Sequence, residues 1–203
     1  WAWVEPGIVR DDLNKQLAHT GYFFAPETST ANRAMIGGMI GNNSCGSNSI
    51  IYGSVREHLL EVKMLLSDAT EVTFGPLDEH GFLAHCNGHD TSGDLHTEIY
   101  LGIKEMLSDP INQTAILEGY PNPKIPRRNT GYAIDMLLRH RPFTTESDEK
   151  FNFSKLIAGS EGTLGFVTAA KIKLSKIPSR HRRLLVIHAN SIDESLRANL
   201  VAL

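Results

Sequence analysis

The sequence predicts an α+β fold, and three observations carry that expectation. Segments with strand character and segments with helical character are interspersed, without the strict strand–helix alternation of a doubly wound sheet. Leu59–Leu66 and Glu71–Phe74 are joined by the turn residues Ser67-Asp68-Ala69-Thr70, a hairpin pattern that makes two neighbouring strands antiparallel. Hydrophobic content of 41% and charged content of 21% over 203 residues belong to an ordinary globular protein, long enough for one substantial domain or for a domain and the start of another.

The elements follow in order. Ala2–Glu5 reads as a strand, with Trp3-Val4 as its buried end, closed by Pro6-Gly7. Val9–His19 is a helix: Leu13 and Leu17 share a face, Asp11 and Asp12 suit the positive end of its dipole, and Gly21 follows its end. After the polar loop 27–33, Ala34–Ile40 is a short helical turn leading into glycine-rich chain. Leu59–Leu66 is apolar enough for a strand buried on both faces. Residues 75–93 are rich in Gly, His and Asp and show no period, so they read as irregular. Asp94–Leu107 is a helix capped by Asp94 and stopped before Pro110, and Asn112–Glu118 forms another, ended by Gly119 and Pro121. Beyond the extended connector 121–126, Tyr132–Leu138 is helical, 141–152 is a polar loop and Ser154–Ala158 is a short helix. Phe166–Leu174 and Arg183–Ala189 read as strands, and Ile192–Leu203 as an amphipathic helix opened by Ser191.

Several classes of function are excluded or disfavoured. A net charge of −3 gives no electrostatic reason for nucleic acid or anionic lipid, and the basic run at 180–183 reads as a solvated strand end. No apolar run approaches the ~20 residues of a membrane span, and no stretch of these residues reads as a signal peptide. Cys45 and Cys86 cannot supply the four thiolates of an iron–sulfur cluster, and a reducing, cytoplasmic setting fits them. No Ser-His-Asp arrangement, Walker loop or G-x-G-x-x-G fingerprint occurs, which argues against hydrolase, P-loop and Rossmann readings.

Two segments carry chemistry. Gly37-Gly38-Met39-Ile40-Gly41-Asn42-Asn43-Ser44-Cys45-Gly46, followed by Tyr52-Gly53, is echoed far along the chain by Gly159-Ser160-Glu161-Gly162-Thr163-Leu164-Gly165. Where no Cβ intervenes, backbone N–H groups can approach an anionic ligand closely. Two such segments imply one large anion, a dinucleotide, held from two sides.

Taken with Val4-Glu5-Pro6-Gly7, Pro26-Glu27-Thr28-Ser29-Thr30, the hairpin and Asn129-Thr130-Gly131-Tyr132, these segments resemble the PCMH-type FAD-binding domain of the vanillyl-alcohol-oxidase / p-cresol-methylhydroxylase superfamily. Within it the chain is most similar to the D-lactate, glycolate and D-2-hydroxyglutarate dehydrogenase branch. The resemblance covers most of residues 1–178 in the family's order. It implies an α+β, FAD-binding type 2 domain, its larger subdomain, with a mixed or antiparallel sheet flanked by helices and truncated at both ends. By the same resemblance a phosphate-loop subdomain would precede Trp1, and 179–203 would begin a C-terminal substrate or cap domain. The chain opens without Met and reads as a piece of a longer protein.

The resemblance also implies roles. Pro26, Ser29 and Thr30 would supply backbone and hydroxyl donors, and Gly37 and Gly38 would let the chain pass against the FAD phosphates. Asn42 and Ser44 would hydrogen-bond the cofactor, with Gly46, Tyr52 and Gly53 completing that side. Glu161, Gly162, Gly165 and Val167 would close the adenine and ribose side. A pyrophosphate needs convergent N–H and O–H donors, which these short side chains permit. The implied activity of the whole protein is oxidation of a D-2-hydroxy acid by hydride transfer to flavin. Its electrons would pass to a quinone, a cytochrome, a flavoprotein or an iron–sulfur partner. The expected location is cytoplasmic, or peripheral at the inner membrane face. Holding about half of such a site, the isolated chain is expected to bind FAD weakly or not at all. The rival readings are a same-fold oxidase or reductase acting on another substrate, and a non-catalytic nucleotide-binding module.

Other candidates stay open between two readings. Arg127 or Arg128 could pair with a substrate carboxylate or end a solvated loop. Tyr132 could stack near the cofactor or pack in the core, and Cys45 could be a flavin-linked thiol or a small filler. His80, His85, Cys86, His89 and His96 carry zinc-ligating groups at spacings that match no standard pattern, so 77–127 reads as an irregular insertion, a lid or a partner surface, and no metal is assigned. Glu161 is read as ordering its turn through backbone N–H groups rather than as a general base, and no catalytic residue is assigned in this chain.

Overall fold

The structure, a computed structural model, describes residues 1–88, 94–125, 128, 129, 131–179, 181 and 183–202, with Asp94 described by its backbone alone. The expectations attached to Arg127, Thr130, His89, the Asp94 cap and two arginines of the basic run lie outside the described residues.

A four-stranded antiparallel sheet organises the chain. In sequence order its strands are β1 (Ala2–Val4), β3 (Leu59–Leu65), β4 (Glu71–Phe74) and β5 (Phe166–Ile172), arranged β1-β5-β3-β4. A separate two-stranded ladder pairs β2 (Tyr22–Phe23) with β6 (Ser175–Lys176). The predicted hairpin forms, with Leu65 opposite Glu71 and Val62 opposite Phe74. Val62 also faces Ala170 of β5, so strands close in sequence and far apart in it meet at one residue.

One sheet face is buried: Val4, Val62, Met64, Val72, Phe74, Ala170 and Ile172 belong to the core. The other carries Lys63 beside the Trp3 ring, Lys171 over Trp1 and a Lys171–Glu61 ion pair. The expectation that Leu59–Leu66 is buried on both faces is therefore corrected. Its period-2 polar residues, Glu61 and Lys63, lie on the wetter side, and long aliphatic stems let those charges cover tryptophan while their heads stay in water. For the same reason Trp3 is turned out from the core while Val4 is buried.

Ten α-helices accompany the sheet among the described residues, all but the exposed last one lying between strands in the sequence. They are α1 (Arg10–Leu17), α2 (Ile36–Asn42), α3 (Ser49–Tyr52), α4 (Val55–His58), α5 (Glu79–Cys86), α6 (Asp94–Ser108), α7 (Pro110–Gly119), α8 (Ile134–Leu138), α9 (Ser154–Ile157) and α10 (Ile192–Ala202). Helix α4 opens on a reciprocal capping box between the Ser54 hydroxyl and the Glu57 carboxylate, a four-residue sequence signature. Helix α7 starts at Pro110, earlier than expected, because Asp109 caps Ile111 and proline suits a first helical turn.

Residues 79–86, read as irregular from their Gly, His and Asp content, instead form helix α5, while the helices expected at 94–107 and 112–118 are present as α6 and α7. The Asp78 side chain accepts the Gly81 N–H at 2.8 Å and starts α5. Phe82 and Tyr100 then join Phe74, Phe151 and Phe153 in an aromatic cluster whose rings meet edge-on or tilted, 4.6 Å apart for Phe82 and Phe151. His85 stacks on Tyr100 at 4.7 Å, and His96 lies between Phe74 and Tyr100, so these imidazoles pack among rings.

The strand expected at 183–189 is absent. Leu184 and Leu185 are 90% and 80% exposed, and no strand among the described residues offers them a ladder. A strand without a partner cannot satisfy its backbone groups within a sheet. Among the described residues no helix is long and apolar enough to cross a membrane.

Candidate functional site

The first glycine-rich segment opens as helix α2, which falls on the helical turn expected at 34–40 and runs two residues further, to Asn42. Ile36, Met39 and Ile40, spaced i, i+3, i+4, bury one face of α2 and outweigh the low helical propensity of its glycines. Gly37 lies against the turn after β1, where a Cβ would stand 2.7 Å from the Pro6 Cβ. At Gly38 nothing lies within 4 Å of where a Cβ would be. Asn43, in the left-handed conformation at φ 50°, ends the helix.

The second segment is a true turn. Glu161, Gly162 and Gly165 have φ of 53°, 75° and 153°, a run of conformations that L side chains rarely adopt. At Gly165 the chain also presses on β3, where a Cβ would come within 2.7 Å of the Leu65 carbonyl. A helix end leaves carbonyls without intrahelical donors. The second segment supplies one for Gly41 O, from Glu161 N–H at 3.0 Å, and its Gly159 N–H shares Ile40 O, at 2.9 Å, with the Asn43 N–H. The Asn42 amide adds a bond to the Glu161 carboxylate at 3.2 Å, across 119 residues of sequence.

The two segments therefore meet, and together they line a cavity of about 230 Å³ that includes Gly37, Gly41, Ser160, Gly162, Gly165 and Val167. Pockets that enclose a drug-sized ligand run to roughly 300–1,000 Å³, so this one suits part of a larger molecule. Gly162, like Gly38, has open space where a Cβ would stand.

The remaining expected residues gather elsewhere. Pro26 accepts from the Arg10 guanidinium through its carbonyl, and Thr30 pairs its hydroxyl with that of Thr28. Ser29 is exposed. Glu27 organises this side: its carboxylate accepts from the Ser47 hydroxyl at 2.6 Å and from the Asn48 backbone and side chain. The Ser47 bond is the main reason its carboxyl sits below the usual range. Gly46 packs against Glu27, and Gly53 follows α3 beside Glu57. Tyr52, edge-on to Phe23, lines a second, more open cavity with Arg10, Glu27 and Asn48. Ser44 donates to Asn42, which places it in the same chain of bonds as Glu161.

Three readings change. Glu161 orders its turn through Asn42 as well as through its own backbone. Tyr132 is 41% exposed rather than core, its hydroxyl bonded to Thr163 of the second segment. The Arg128 guanidinium, offered in the sequence reading to a substrate carboxylate, is held by Asp135 at 2.6 Å and by the Pro121 carbonyl. Cys45 lies beside Asn129, whose amide donates to its sulfur at 3.3 Å.

Sequence reasoning missed two buried polar residues that frame the site. The Asn43 side chain accepts from Ser54 and from the Arg56 N–H, both at 2.8 Å, and donates to Asn129. Arg56 donates its guanidinium to carbonyls of two distant segments. An asparagine just past a glycine-rich helix is a recognisable left-handed cap. Arg56 has no local signal, because its acceptors lie far along the chain.

Residues 1–75 match the family model of an FAD binding domain. Over 97% of its length the chain is 34% identical to the D-2-hydroxyglutarate dehydrogenase of Escherichia coli, of which it covers 18%. It is 32% identical to the enzyme of the same name from Haemophilus influenzae, again over 97% of the chain and 18% of the relative. The glycolate oxidase subunit GlcD of Bacillus subtilis aligns with 93% of the chain at 23% identity, 26% of that subunit being covered. Among solved structures, an alkyldihydroxyacetonephosphate synthase aligns with 87% of the chain and 20% of its own, at 17% identity and a TM-score of 0.45. The chain thus spans about a fifth of the length of the relatives it matches. The matches bear out the resemblance to the FAD-binding hydroxy-acid dehydrogenase branch, and FAD is the ligand of the family whose pattern residues 1–75 carry.

Proposed function

We propose that this chain, a relative of the FAD-binding hydroxy-acid dehydrogenases, is the FAD-holding part of an oxidoreductase that oxidises a D-2-hydroxy acid. The observation that carries the proposal is the meeting of the two glycine-rich segments, Glu161 N–H on Gly41 O, around one cavity. The residues fit the cofactor: Gly38 and Gly162 leave bare backbone where side chains would block an approaching phosphate or ring. Gly37, Gly38, Asn42, Ser44, Glu161, Gly162, Gly165 and Val167 would hold one part of FAD. Pro26, Ser29, Thr30, Gly46, Tyr52 and Gly53 would serve another part of it. When bound, FAD supplies an acceptor for the hydride on the substrate's α-carbon. The side chains here position and orient; none is assigned the hydroxyl proton.

Residues 1–178 would form the FAD-binding domain and 179–203 would belong to a further unit, as the exposed Leu184, Leu185 and the α10 stripe Ile192, Leu196 and Leu200 favour. A quinone, cytochrome, flavoprotein or iron–sulfur partner would accept the electrons, in the cytoplasm or at the inner membrane face. The test is the absorption spectrum of the full-length protein, titrated anaerobically with D-2-hydroxyglutarate, D-lactate and glycolate. An oxidised flavin spectrum bleached by one of these acids is expected. A protein that stays colourless after incubation with FAD overturns the proposal.

A further inference from the structure

We propose that Arg56 is a positioning residue, the clamp that sets the second glycine-rich segment against the first. Its side chain is 2% exposed, and its hydrogen-bond acceptors among the described residues are backbone carbonyls. Nε reaches Lys155 O at 2.9 Å and Ala158 O at 3.2 Å. Nη2 reaches Gly131 O at 2.9 Å as well as Ala158 O, and Nη1 reaches Arg128 O at 3.5 Å. A planar fork of five donors suits carbonyls on two segments at once.

Both clamped segments act on the site. Residues 128–132 carry Asn129, bonded to Asn43 and Cys45 of the first segment, and Tyr132, bonded to Thr163 of the second. Residues 155–158 run directly into Gly159, whose N–H meets Ile40 O at the end of α2. At Gly159 the guanidinium occupies the room a side chain would need: a Cβ there would stand 2.6 Å from Nη2. The Arg56 backbone N–H is itself held by Asn43 just past α2, and Lys155 Nζ returns a bond to Arg56 O at 2.8 Å. One buried residue therefore joins the end of α2, the 128–132 segment and the approach to the second turn.

Burying a cation is costly, and burial does hold this guanidinium below its usual basicity. An apolar side chain of similar length would fill the space without that cost but would leave the carbonyls without donors. The feature that separates positioning from general support is where the bonds go: to segments that border the site, and to none of the sheet strands.

The inference rests on the proposed FAD reading for its affinity readout and not for its structural one. Arg56→Met and Arg56→Lys would be made in the full-length protein. FAD affinity would be measured by titration, and amide hydrogen exchange at 129–132 and 159–165 compared with that in β3 and β5. Exchange is expected to accelerate in the two loops and to stay unchanged in the strands. FAD affinity is expected to fall about tenfold or more, the equivalent of one lost charge-assisted bond, with the lysine variant the milder of the two. Unchanged FAD affinity in either folded variant overturns the proposal, and so does acceleration spread evenly over the sheet. If neither variant folds, Arg56 serves the whole fold and the proposal fails. A wild-type protein that takes up no FAD defeats the functional reading instead and leaves the exchange comparison intact.

Discussion

The two glycine-rich segments have similar compositions and opposite backbones. Residues 36–42 are helical and hold their glycines in ordinary conformations. In 159–165 the three glycines, with Glu161, lie at positive φ. In the first segment glycine is needed for proximity: Gly37 lets a helix press on Pro6. In the second it is needed for the turn itself, and at Gly165 for proximity as well. A cluster of glycines therefore announces close backbone approach but does not say which kind. What turns the pair into one site is the fit between them, since Gly159 and Glu161 donate to Ile40 O and Gly41 O at the end of α2.

The difference can be broken most severely at Gly165. In Gly165→Ala the new Cβ would meet Met64 Cε and the Leu65 carbonyl at a φ of 153°. The methionine tip can move, but the β3 backbone cannot. Overpacking and backbone strain together should cost about 4 kcal/mol, measured by urea denaturation. A loss under about 1 kcal/mol would show that the turn relaxes freely and that its glycine is dispensable. Gly37→Ala should cost less. Its Cβ would crowd the Pro6 ring at 2.7 Å, a clash of about 2 kcal/mol, offset by about 1 kcal/mol of gained helical propensity. A net loss near 1 kcal/mol in the same assay would place the two glycines in the different classes argued here.

The same distinction explains what was legible in the sequence. The hairpin, α1, α6, α8, α9 and β5 follow from local periodicity and turn residues, and each forms within a few residues of its expected bounds. Helix α2 falls on the turn expected at 34–40 but continues to Asn42, because the buried i, i+3, i+4 set Ile36, Met39 and Ile40 carries the helix through Gly41. Helix α5 was hidden by its histidines and glycine, although Asp78 stood ready as a cap. The strand at 183–189 had the right residues but depends on a neighbour, and no local pattern reports a neighbour. At the site, the convergence of the two segments was readable from composition. Arg56 and the Arg128–Asp135 pair were not, because each is set by tertiary contacts.

Gly38 sharpens the comparison further, because there stability and binding should part company. It sits in a helix, exposed, with nothing within 4 Å of where a Cβ would stand. Neither turn nor packing demands glycine, so Gly38→Ala should raise stability by about 0.5–1 kcal/mol through helical propensity and a less flexible unfolded chain. A glycine kept at that cost needs another reason, and bare backbone facing an approaching ligand is one. In the full-length protein the same substitution should therefore weaken FAD binding while the apo melting temperature rises by a few degrees. Titration with FAD beside thermal unfolding of the apo form separates the outcomes. A rise in stability with undiminished affinity would mean that the ligand does not approach this face of α2, and the first segment would then contribute only the shelf on which the second one rests.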